Sequence, residues 1–144
     1  NKETEIEFRA QIGRYDGGVT VQLYRTNDAG AGEAYAGLRI RGAGNIDIVA
    51  KEGGHIYFRN IKNFRNQLPK GFKYYDFHTW TLNFSNGELN LYLDGNLLEG
   101  YGQEKDMKDK FGQLFDSFNG ISVSPFLKDM AVDHVRVSQY NKPI

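Results

Sequence analysis

This sequence of 144 residues predicts an all-β fold of antiparallel strands arranged as a sandwich or barrel, on three observations. Between His78 and Asn96, apolar and polar residues alternate around an Asn86-Gly87 and an Asp94-Gly95 step. Such steps tolerate the positive φ that tight hairpin turns need, while period-two patterning puts one set of side chains on each face of a strand. About nine or ten segments of this kind recur at roughly ten-residue spacing. Finally, 17 Gly, 9 Tyr and 10 Phe against 3 Pro fit many short strands joined by glycine turns better than a helical chain.

The elements follow in order. Thr4 to Ile12 is a half-buried strand with Ile6, Phe8, Ala10 and Ile12 on the inner side. After a turn over Gly13 to Gly18, Val19, Val21 and Leu23 alternate with Thr20, Gln22 and Tyr24. Tyr35 to Arg41 returns with Ala36, Leu38 and Ile40 inward and Tyr35, Arg39 and Arg41 outward. Asn45 to Ala50 follows with Ile46, Ile48 and Ala50 in phase, and the next strand is expected to turn Ile56 and Phe58 inward and His55, Tyr57 and Arg59 outward. Asn60 to Phe77 breaks the alternation and is expected to be an irregular crossing. In the hairpin, Trp80, Leu82, Phe84, Leu89, Leu91 and Leu93 share the core phase. Met107, Phe111, Leu114 and Phe115 recur at helical spacing, so one short helix or folded loop is expected near residues 104–118. Ile121 and Val123 form a strand stopped by Pro125. In the last strand, A-V-D-H-V-R-V, Val132 and Val135 share a face only if a bulge intervenes near Asp133.

Length and composition bound the rest. A chain of 144 residues fits one domain over residues 1–144. Eighteen basic and 18 acidic residues leave no global field to draw nucleic acid or an anionic membrane. The absence of Cys excludes disulfides, thiolate metal sites and Cys nucleophiles. No apolar run approaches the roughly 20 residues that span a bilayer, so no membrane insertion is expected. The chain begins at Asn1 with no basic-then-apolar leader, which reads as a domain excised from a longer protein.

The segment W-T-L-N-F-S-N-G-E-L-N-L-Y-L-D-G and the closing A-V-D-H-V-R-V resemble the concanavalin A-like superfamily of laminin G domains, legume-type lectins, carbohydrate-binding modules and family 16 glycoside hydrolases. The resemblance implies a two-sheet antiparallel jelly-roll sandwich and an extracellular, cell-surface or periplasmic setting. It also implies a possible structural calcium near the termini, with Asp133 as an oxygen donor beside Glu3 or Glu5. Function does not follow from such a scaffold, which hosts lectins, adhesion modules and hydrolases alike.

G-N-I-D-I-V-A at residues 44–50 is similar to the hydrolase strand E-I-D-I-x-E, but Asn45 and Ala50 replace both Glu. Retaining glycoside hydrolysis needs two carboxyls about 5 Å apart. Asp47 alone cannot supply them unless Glu52 or Glu33 faces it across the sheet. His55, His78 and His134 show no zinc spacing, and neither a serine elbow nor a phosphate loop is present. What remains is a polar face of Gln22, Tyr24, Tyr35, Arg39, Arg41, Tyr57 and Arg59. Tyr rings stack on sugar C–H faces and Arg forks hold hydroxyls or carboxylates, so these positions form a candidate carbohydrate-binding site. An ordinary solvent face, with Tyr serving strand propensity and Arg solubility, is the competing reading. Trp80 belongs by phase to the core.

Three functions are therefore expected in order. The first is non-catalytic binding of a polysaccharide or oligosaccharide glycan. The second is a glycoside hydrolase-like or lyase-like enzyme in which Arg39, Arg41, Tyr57 and His55 act on an acidic sugar. The third is a laminin G-like protein-interaction domain.

Overall fold

A computed structural model describes residues 2–12, 17–26, 32–42, 44, 46–52, 55–61, 68–85, 88–98, 118, 120–125 and 131–141. At some strand positions, Tyr35, Tyr57 and Arg59 among them, the description is of backbone register alone. Ten strands run in chain order: β1 Lys2–Gln11, β2 Gly18–Thr26, β3 Gly32–Arg41, β4 Ile46–Glu52, β5 His55–Ile61, β6 His78–Ser85, β7 Glu88–Leu93, β8 Asn96–Leu98, β9 Gly120–Pro125 and β10 Ala131–Asn141. They form two antiparallel five-stranded sheets, the first ordered β10-β1-β6-β7-β8 and the second β5-β4-β3-β2-β9. This is the two-sheet antiparallel jelly-roll sandwich that the sequence predicts. The helix or folded loop expected near 104–118 lies, apart from Phe118, outside the described residues.

The alternation read from sequence sets the core. Ile6, Phe8, Ala10, Trp80, Leu82, Phe84, Leu91, Leu93 and Leu98 from the first sheet meet Val19, Val21, Leu23 and Ile40 from the second, all of them buried. Trp80 is 1% exposed, which places it in the core as its phase predicts. Truncating a buried aromatic of this kind costs about 3–5 kcal/mol through lost transfer energy and a residual cavity.

Local chemistry sets the register. Ser85 stands opposite Glu88 and Leu93 opposite Asn96, the pairings of two-residue connections. At the second turn Asp94 and Gly95 have φ of 50° and 83°, so both adopt the left-handed conformation that a type I′ turn requires. Asp94 also caps its neighbours. Its Oδ1 accepts from the Thr79 amide at 2.9 Å, and its Oδ2 lies 2.7 Å from His78 Nδ1. Phe72 stacks on the His78 ring with centroids 4.4 Å apart. The segment 68–77, part of the expected irregular crossing, thereby closes one end of the sandwich, with Leu68, Phe72 and Tyr74 packed on the core.

The bulge expected at the closing strand is present. Arg9 pairs with His134 and Ala10 with Val132, so Asp133 is the extra residue. β10 is an edge strand, and Val135 and Val137, although opposite Phe8 and Ile6, remain 41% and 39% exposed.

β5 departs from expectation. Register pairs Tyr57 with Ala50 and Arg59 with Ile48, positions in phase with buried Ile40, whereas Phe58 pairs with Val49 and Asn60 with Asp47. The positions of Tyr57, Arg59 and His55 are thus in register with the β4 positions in phase with Ile40, and those of Ile56 and Phe58 with the alternate ones. Residue type alone favours Ile56 and Phe58 as the inner pair; the hydrogen-bonded register with β4 sets them opposite Lys51 and Val49 instead.

Candidate functional site

Opposed residues in an antiparallel pair project to the same face, so the ladders of the second sheet define rows across its outer side. One row runs Ser124, Thr20, Arg39, Asp47, Asn60. The next runs Ser122, Gln22, Gly37, Val49, Phe58, and the third Gly120, Tyr24, Tyr35, Lys51, Ile56. Beyond the first row, Arg41 stands opposite Gly18.

The turn after β3 builds the charged end of this face. The Gly44 amide donates to Arg41 O at 2.9 Å, closing a β-turn, with Gly44 at φ 94° where glycine is favoured. The Gly42 amide donates to Gly17 O at 2.8 Å and ties the turn to the start of β2. The reversal delivers Asp47 opposite Arg39, and Asp47 Oδ2 approaches Arg41 Nη1 to 3.8 Å. Asp47 is only 2% exposed although its position is on the outer phase. Arg41 keeps 34% of its side chain in solvent, so it spans from the buried carboxylate to the surface. Burial of a carboxylate is costly unless cations and hydrogen bonds compensate it, and two guanidinium-bearing positions surround this one.

Glycines shape the rest. A Cβ on Gly18 would come within 2.6 Å of Ile40 O, so the chain packs here only without a side chain. A Cβ on Gly120 would meet the Tyr24 ring at 2.0 Å, because that ring lies directly over the β9 backbone. Ser122 and Ser124 are exposed beside it, and Thr20 and Gln22 are half-buried. The face thus offers a flat aromatic at one end, guanidinium groups at the other, and small or hydroxyl-bearing positions between them.

The structure brings together Gln22, Tyr24, Arg39, Arg41 and the position of Tyr35, and separates Tyr57 and Arg59, which register assigns to the opposite phase. It adds Asp47, Thr20, Ser122 and Ser124, with the positions of Phe58 and Asn60. Sequence reasoning weighed Asp47 only as part of a hydrolase-like strand. The signal for its place was the spacing R-I-R-G-A-G-N-I-D, in which a turn of this length folds the Asp back onto the first Arg.

Neither Glu33 nor Glu52 stands opposite Asp47 in the register. Glu52 is five residues along β4 from Asp47 and in the opposite phase, and Glu33 is six residues along β3 from Arg39, the residue paired with Asp47. At about 3.3 Å per residue these are offsets of roughly 17 and 20 Å, well beyond what two cooperating carboxyls allow.

The calcium expectation named Asp133 with Glu3 or Glu5. Asp133 Oδ2 lies 3.4 Å from Arg9 Nη1, while Glu5 pairs with Ser138 and Glu3 with Tyr140, farther along β10. Among the described residues no three His, Asp or Glu side chains gather as a metal-binding group. Asp133 is the bulge residue, ion-paired to Arg9 on the neighbouring strand.

No protein-family model matches the chain, and no curated protein matches it in sequence. Solved structures do match in shape. Sheep galectin-11 in complex with glycerol superposes with a TM-score of 0.52 at 8% identity, covering 94% of this chain and 90% of that one. Caenorhabditis elegans galectin LEC-6 gives 0.51 at 13% identity, covering 94% of this chain and 81% of that one. At such identities the likeness is one of fold.

Proposed function

We propose that this chain binds glycans without cleaving them, through the outer face of the second sheet. One observation carries the reading: Gln22, Tyr24, Arg39 and Arg41 share that face with a buried Asp47, on a surface lowered by Gly18, Gly37 and Gly120. The Tyr24 ring beside Gly120 supplies aromatic surface for a sugar, while Arg and Gln groups supply the directional hydrogen bonds that hydroxyls require. The fold shared with the galectin structures supports the reading at the level of the scaffold alone. The separation of Asp47 from Glu33 and Glu52 favours binding over hydrolysis. The supporting experiment is a glycan array followed by titration. Binding to at least one glycan is expected, weakened roughly tenfold or more by Arg39→Ala and by Tyr24→Ala with the fold retained; wild-type protein that binds no glycan would refute the proposal.

A further inference from the structure

Groups suited to a sugar are not spread evenly over the outer face of the second sheet. β9 is an edge strand paired with β2, so three steps of two residues face outward side by side: Tyr24 with Gly120, Gln22 with Ser122, and Thr20 with Ser124. Ser122 and Ser124 are exposed, while Tyr24, Gln22 and Thr20 are half-buried. A Cβ on Gly120 would meet the Tyr24 ring at 2.0 Å, so that ring fills the space above the first step. At the next two steps the side chains of Gln22, Thr20, Ser122 and Ser124 have no hydrogen-bond or ion-pair partner among the described residues.

We infer that the glycan taken by this face lies lengthwise along β2 and β9: an unbranched, neutral oligosaccharide with one ring against Tyr24 and its hydroxyls on the next two steps. This deepens the glycan reading and rests on it. A sugar hydroxyl both donates and accepts, and so do the Ser and Thr hydroxyls and the Gln amide. An ionised carboxylate only accepts, which leaves the acceptor side of each of these groups unmatched. A neutral ring instead answers both halves of every group along the track.

The steps set the ligand's direction and size. β2 presents a side chain suited to a sugar at every step, whereas β3 is interrupted by Gly37 and β4 by Val49 in the middle row, so the continuous run follows β2 and β9. Each step advances about 7 Å, and Tyr24 to Thr20 spans about 13 Å along the strand. That exceeds one sugar ring, so an oligomer engages the whole track and a monosaccharide only the Tyr24 end.

Calorimetric titration tests this with cello-, manno- and galacto-oligosaccharides of one to four rings, and with the same lengths of any other neutral chain that a glycan array reveals. In at least one series the trisaccharide is expected to bind roughly tenfold or more tightly than the monosaccharide. Ser124→Val, at the step farthest from Tyr24, is expected to weaken the trisaccharide roughly threefold or more and leave the disaccharide unchanged, whereas Ser122→Val weakens both. Tyr24→Ala is expected to weaken every length. Valine suits an exposed strand position, and should either variant fail to fold, alanine at the same position replaces it. A trisaccharide bound no better than the monosaccharide, or one that both Ser variants leave unchanged, overturns the lengthwise placement while the glycan reading stands. Binding only of acidic or branched glycans overturns the neutral, unbranched class and again leaves that reading standing. A protein that binds no glycan of any kind brings down both together.

Discussion

On the outer face of the first sheet, charges meet across strand boundaries in solvent. Arg136 Nη2 reaches Glu7 Oε2 at 2.6 Å with two thirds of the arginine side chain exposed, and Arg9 meets Asp133 at 3.4 Å with both about half exposed. Asn83 donates to Glu3 at 3.0 Å. The second sheet places its charge differently: Asp47 keeps 3% of its side chain in solvent beneath Arg41. Exposed pairs of the first kind contribute about 0–1 kcal/mol each, whereas a shielded carboxylate is expensive to strand. The contrast teaches that ion pairs of similar chemistry serve register and solubility on one side and positioning on the other.

Removing what both faces share gives the largest expected effect. Trp80→Ala should lose about 3–5 kcal/mol in chemical denaturation and abolish glycan binding through unfolding rather than through the site. Asp47→Ala comes next, at about 3 kcal/mol, the lower end for a broken buried pair because Arg41 is partly solvated. Its thermal midpoint should fall by roughly 10 °C, and a loss no larger than that of Glu7→Ala would erase the distinction between the faces.

Two glycines sharpen the comparison further. Gly18→Ala pushes a methyl against a backbone carbonyl and should cost about 1–3 kcal/mol, whereas Gly95→Ala meets no atom within 4 Å and should lose only the left-handed backbone preference, about 1 kcal/mol. Gly120→Ala should displace the Tyr24 ring, so binding falls while stability changes by about 1 kcal/mol or less, a split that paired titration and melting would detect. The smallest effect is expected at Glu7→Ala, about 0.2–1 kcal/mol and diminishing with added salt, with glycan affinity unchanged.

Much of this scaffold was legible in the residues themselves. Period-two patterning over 78–98 placed Trp80, Leu82, Phe84, Leu91 and Leu93 in the core, and the misfit of Val132 with Val135 located the bulge at Asp133. Those features depend on neighbours in sequence. The site was only half legible. Gln22, Tyr24, Arg39 and Arg41 follow from strands with one clearly apolar side, but β5 carries Ile56 and Phe58 on one phase and Tyr57 and Arg59 on the other, so its orientation depends on pairing with β4. The burial of Asp47 was hidden for a related reason: its position on the outer phase suggests solvent, and only the folded turn brings Arg41 over it.

The placement of β1 has a kinetic consequence. β2, β3, β4 and β5 pair with successive neighbours, so four strands of the second sheet can zip from short loops. β1 instead pairs with β6 on one side and β10 on the other, and Lys2 must find Asn141. Closing so long a loop carries its entropy cost before any contact repays it, which slows folding and makes the β1–β6 and β1–β10 pairings the later ones to form. Substitutions at Ile6 or Phe8 should therefore act mainly on the unfolding rate and those at Val21 or Leu23 mainly on the folding rate, a division that chevron analysis can read directly.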